Sequence, residues 1–198
     1  MCFTDRTVRN HHKHAAKSAV RRKGSSMNGT TLINRRMLVI GAGTALVVAP
    51  ALGQTDKVKA SMEALKAKTA QLGPPKISGS DAVAGKDVAA LYFGTIKINN
   101  HFDEVDAVVQ EHGGTATLFV KSGNEYVRVA TNVKKDDGSR AIGTVLDPSG
   151  PVFPIIQKGE AYYGDAMILG KPYVTGYDPI RDAAGNVIGI YYVGYLKD

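Results

Sequence analysis

At Gly113-Gly114 the apolar residues of this chain change their spacing, and that change decides what it can fold into. Before the pair, Phe102, Val105, Val108 and Val109 make one face of a short helix. Asn100 is its expected N-cap, and Asp103 and Glu104 sit at the dipole end that favours acids. After the pair the period drops to two. TATLFVK and EYVRVATNV are strands flanking the turn SGN, and DAMILGKPYVTGYDPI and NVIGIYYVGYL are strands separated by RDAAGN. Between these pairs, KKDDGSRAIGTVLDPSGP reads as a charged turn with a return strand, and PVFPIIQKGEAYYG holds a short helical piece. Upstream, Val58, Met62, Leu65 and Leu72 set the stripe of an amphipathic helix over 54–74, interrupted at Thr69 and stopped by Gly73-Pro74-Pro75. A stripe so thin packs along one side of a domain, and also suits a homodimer through this N-terminal helix. KISGSDAVAGKDVAALYFGTIKIN, rich in Gly, Ser and Ala, predicts loop and short strand pieces. The sum is an α+β fold: about five antiparallel strands, a long N-terminal helix and a short second helix.

The net charge of +7 suggests a nucleic-acid or membrane binder until the charges are located. Nine basic residues and a single acid, Asp5, precede Gln54, whereas sixteen basic residues and seventeen acids follow it. The part that folds is therefore nearly neutral and has no electrostatic footprint for nucleic acid.

The basic head reads as an address. Arg35 and Arg36 precede an apolar run from Met37 to Val48, followed by small residues, the layout of a secretory signal peptide over 27–53. The run is shorter than the ~20 residues a spanning helix needs. A cut falls at Gln54 or after Ala51, and an uncleaved membrane anchor is the alternative. The arginine pair after Asn34 resembles a twin-arginine signal, although the Phe-Leu-Lys that follows in that pattern is missing; Sec and twin-arginine routes both stay open. Either route predicts a periplasmic protein. Residues 1–26 are a disordered basic head or a mis-assigned start with Met27 as initiator.

Several chemistries drop out. The one cysteine, Cys2, lies in the head, so disulfides, thiolate metal sites and a cysteine nucleophile are excluded from the exported part. His101 and His112 are the only histidines after the head, and neither comes with a nucleophile or a metal-ligand spacing. No phosphate loop is present. The chain reads as no enzyme, with no cofactor and no metal.

The pieces VRVAT (127–131), GSRAIG (138–143), YYG (162–164) and GKPY (170–173), with the closing Gly-x-x-x-Val-Gly, occur in a distinctive order. From about Pro75 to Lys197 the chain resembles an extracytoplasmic single-Cache sensor domain of the Cache 3/Cache 2 fusion type, as found in bacterial chemoreceptors and sensor kinases. The resemblance implies a PAS-like sheet with a long helix behind it. It also implies a pocket between sheet and overlying loops for a small metabolite, often a carboxylate. The domain core is then 75–198. Since the chain ends at Asp198, the output is expected on a partner, a membrane receptor or kinase.

Strand parity locates the pocket residues. In EYVRVAT, Tyr126, Arg128 and Ala130 share one face, and Val127, Val129 and Thr131 take the other, beneath the helix. Arg128 cannot sit in a dry core unless something pairs with it, and a carboxylate matches its planar fork. In KPYVTGYDP, Lys171, Tyr173, Thr175 and Tyr177 share a face and offer a cation and three hydroxyls. Tyr162 and Tyr163 precede Gly164, where a loop closes over the sheet. The candidate ligand-binding set is Arg128, Tyr126, Tyr163, Lys171, Tyr173 and Tyr177. Against it stand plainer roles: Arg128 paired with Glu125 or Asp178, the tyrosines as cross-strand packing, and Arg140 and Arg181 as solvated turn charges. A structural, dimerising domain with a vestigial pocket is the alternative function.

Overall fold

Residues 53–197 are described by a computed structural model. The basic head and, apart from Gly53, the signal segment lie outside the described residues.

Helix α1 (Gln54–Leu72) lays Val58, Met62 and Leu65 against a sheet, all three fully buried. Each such side chain contributes roughly 1.5–3 kcal/mol on leaving water. Thr69, the break in the stripe, is buried too. Its hydroxyl turns back onto the Leu65 carbonyl at 3.0 Å and lies 3.3 Å from the Tyr191 hydroxyl, so the gap is a polar contact with the sheet. The whole stripe is spent inside the chain; the outer face of α1 carries Lys57, Lys59, Glu63 and Ala67. The helix stops where two backbones touch. Gly73, at φ +120°, lies against Gly94, where an added Cβ would strike the Leu72 carbonyl.

The main sheet holds five strands in the order β5-β4-β8-β7-β6: β4 (Thr115–Ser122), β5 (Glu125–Thr131), β6 (Tyr162–Ile168), β7 (Lys171–Arg181) and β8 (Val187–Leu196). All pairings are antiparallel, with Phe119 opposite Ile190 and Tyr177 opposite Tyr192. Strand β8 is central and covered on both faces, so it reads as a continuous apolar and aromatic run rather than a clean alternation. The PAS-like α+β architecture expected from the sequence is what forms.

The Gly- and Ala-rich stretch departs from expectation. It folds as β1 (Pro75–Val83), β2 (Lys86–Phe93) and β3 (Ile96–Lys97), a separate three-stranded sheet. Strand β1 is exposed along most of its length, so it has no alternating apolar signature to read. Strand β2 carries Leu91 and Phe93 into the core, and the Asn99 side chain prolongs the edge by accepting from the Leu91 N–H at 3.0 Å and donating to the Ala89 carbonyl at 3.1 Å. The next helix, α2 (Asp103–His112), has Phe102 as its N-cap, which makes no side-chain bond. Asn100 is not the cap: it sits at φ +61° and donates its amide to the Ala82 carbonyl. The expected return strand shrinks to isolated bridges, Val127 with Val145 and Lys134 with Arg140. The short helical piece is α3 (Phe153–Gln157).

The main sheet therefore has two covered faces. On one, α1, α2 and β2 enclose Leu118, Val120, Val127, Val129 and Val193. On the other, the long segment between β5 and β6 encloses Phe119, Tyr126, Ile156, Tyr177, Ile190 and Tyr192. No helix among the described residues is long and apolar enough to cross a membrane.

Candidate functional site

Arg128 owes its position to a β-bulge. Leu118 pairs with Ala130 and Phe119 with Arg128, so Val129 is the extra residue. The bulge inverts the parity read from the sequence beyond this point. Ala130 packs into the helix-side core, and Thr131 turns to the opposite face, where its hydroxyl meets that of Thr117 at 2.6 Å. Arg128, before the bulge, keeps the face its parity predicts.

The far edge of β5 is closed by residues 141–146. The Arg128 N–H donates to the Thr144 carbonyl at 2.9 Å, and the Gly143 N–H donates to the Arg128 carbonyl at 2.8 Å. This brings Thr144 over the guanidinium, and one terminal nitrogen of Arg128 donates to its hydroxyl at 2.7 Å. The guanidinium carbon lies 5.1 Å from the centre of the Phe119 ring. Beyond these contacts the charge has no compensation among the described residues. Arg128 is only 5% exposed, and its Nε is buried with no hydrogen-bond partner. Burial holds its pKa below the ordinary arginine value, although the phenols of Tyr177 and Tyr192 act the other way. Neither acid considered from the sequence reaches it. Glu125 is exposed at the start of β5, and Asp178 points to the opposite face, where Lys66 of α1 donates to it at 2.9 Å.

Beside Arg128 lies a cavity of about 350 Å³, a size suited to a small metabolite. Arg128 and Tyr177 line it from the sheet; Val145, Leu146 and Val152 line it from the overlying segment; Ala166, Ile168 and Leu169 close the β6 side. Burial pushes the Tyr177 phenol well above its ordinary range, so it stays a neutral hydroxyl. At the mouth, the β6–β7 turn places Leu169 at φ +48° followed by Gly170 at φ +81°, a left-handed pair in which leucine is strained.

The six candidates separate. Arg128 and Tyr177 meet in the cavity. Tyr173 shares the face of Tyr177 and packs into the phenol cluster without lining the cavity. Lys171 is exposed at the start of β7 and does not line it either. Tyr126 is buried edge-on against Phe153, 6.0 Å between ring centres, and borders a separate polar depression with Lys121 and Gln157. Tyr163 lies on the helix face, near Val58, Lys66 and Asp178. It and Tyr162 are neighbours on a strand and so face opposite ways.

The other two arginines are tied down. Arg140 grips Asp106 of α2 with both terminal nitrogens, at 2.7 and 2.6 Å, and also donates to the Thr131 carbonyl at 2.8 Å. Arg181 donates to the Gly185 and Gly159 carbonyls at 2.8 and 2.6 Å. Arg140 is a structural clamp rather than the solvated turn charge expected, whereas Arg181 is exposed and remains a turn charge, as expected. Missed altogether were Thr144 and Asp147. The Asp-Pro-Ser-Gly turn at 147–150 was a visible signal for the second; nothing in the sequence marks the first.

The family model of the Cache 3/Cache 2 fusion domain matches residues 52–198. The chain belongs to this family. Cache domains are sensor modules, typically extracytoplasmic and not catalytic. No group of three or more His, Cys, Asp or Glu residues able to hold a metal occurs among the described residues. No curated protein matches the chain.

Proposed function

We propose that this Cache domain is exported to the periplasm, binds a small organic acid in the cavity beside Arg128, and reports occupancy to a membrane receptor or kinase. The signal-peptide layout of 27–53 supports the location. The observation that carries the ligand class is the buried guanidinium with a free Nε, no carboxylate partner among the described residues, and a cavity beside it. Its planar fork then completes its hydrogen bonds on a ligand carboxylate, with the neutral Tyr177 hydroxyl as a further contact. A route for the readout runs through β7: Tyr177 lines the cavity, and the next residue, Asp178, is held by Lys66 of α1. A dimerising role has less to use, because the apolar stripe of α1 is buried against its own sheet.

Thermal-shift screening of the purified protein against short carboxylates tests the reading. The expected outcome is a rise in melting temperature for at least one acid, lost in Arg128→Ala. An equal response in the variant would overturn the assignment.

A further inference from the structure

Two charged side chains line the cavity, and they have opposite signs. Arg128 is at the floor, nine-tenths or more buried. Asp147 is exposed, in the overlying segment. Its carboxylate is held by its own turn, accepting from the Ser149 N–H at 2.9 Å and the Ser149 hydroxyl at 2.7 Å. Those bonds keep its pKa below the ordinary carboxylate range, so it is charged wherever the protein is folded in neutral solution. The remaining lining side chains are apolar apart from the neutral Tyr177 phenol. No lysine is part of the lining. Lys171 does not line the cavity, and Lys197, which borders an adjoining depression, is paired with Asp165 at 2.7 Å.

This layout decides how many negative charges a ligand can carry. One carboxylate neutralises Arg128 and leaves the ligand body among Val145, Leu146 and Val152. A second carboxylate on the same small molecule has no cation to meet, loses water against apolar walls, and faces Asp147 at the mouth. Both effects act against it. We infer, on the footing of the organic-acid reading above, that the cavity selects acids carrying a single negative charge and that Asp147 is the specificity-determining residue that rejects a second carboxylate.

The test is calorimetric titration of the wild type, Asp147→Asn and Arg128→Ala with linear monocarboxylates of two to six carbons and the dicarboxylates of matching length, butanoate against succinate among them. Asparagine keeps the acceptor that the turn uses and removes only the charge. The wild type is expected to prefer the monocarboxylate of its best-bound length by about tenfold or more, the scale of one charge–charge repulsion at a partly screened site. Asp147→Asn is expected to narrow that preference by improving dicarboxylate binding more than monocarboxylate binding. Equal wild-type affinity for matched mono- and dicarboxylates, lost together in Arg128→Ala, would overturn the charge filter while leaving the organic-acid reading intact. An undiminished preference in Asp147→Asn would remove Asp147 from the role. If no carboxylate binds the wild type at all, the organic-acid reading fails, and the charge filter with it.

Discussion

Arg140 and Arg128 stand on neighbouring parts of the same chain, and the protein treats them in opposite ways. Arg140 closes a fork on Asp106, lies 4.4 Å from the centre of the Phe102 ring, and ties the segment after β5 to α2. Arg128, across the sheet, is more deeply buried yet has only the Thr144 hydroxyl and the Phe119 ring. The two faces differ in the same way. The helix face packs aliphatic side chains and pairs its charges internally, as Lys66 does with Asp178. The opposite face packs phenols around a cation that no acid among the described residues neutralises. Burying a charge without a partner costs stability, and the proposed binding role is what would offset that cost. One face holds the molecule together; the other is left incomplete.

The sharpest way to break this contrast is to damage the helix face. Leu65→Ala removes a fully buried side chain from beneath α1 and should cost about 2–5 kcal/mol of unfolding free energy. Urea unfolding measures it. A loss well under 1 kcal/mol would mean that α1 is not integral to the core. Next comes the clamp: Arg140→Leu should destabilise by about 1–2 kcal/mol, a modest figure because Arg140 and Asp106 are both part-exposed. The same denaturation experiment reads it, and a neutral result would erase the difference between the arginines. The smallest effect is expected at the cavity mouth. Leu169→Gly relieves a left-handed leucine and should stabilise the protein by up to about 1 kcal/mol. A drop in melting temperature would show instead that the Leu169 side chain contributes more by packing than its backbone costs.

The same division governs what was legible beforehand. Strands β4, β5, β7 and β8 declared themselves because runs of β-branched and aromatic residues are bounded by SGN and RDAAGN, both local signals. Strand β1 did not, since a strand exposed on most of its length needs no pattern. Arg128 was readable from parity because it precedes the bulge; Ala130 and Thr131, beyond it, were not, for a one-residue insertion leaves no mark in composition. Tyr177 was readable for the same reason as Arg128. Tyr163 was misplaced because its segment was taken as a loop rather than a strand. Thr144 and Asp147 belong to a segment held over β5 by long-range backbone bonds, and no local pattern encodes those.

On the proposed reading, Arg128 is carried at a cost to the empty fold. The most direct test of that cost is the unfolding free energy of Arg128→Leu against the wild type, both stripped of ligand. The variant is expected to be more stable by about 1–3 kcal/mol. A variant less stable by a similar amount would show that the cation is already satisfied within the protein.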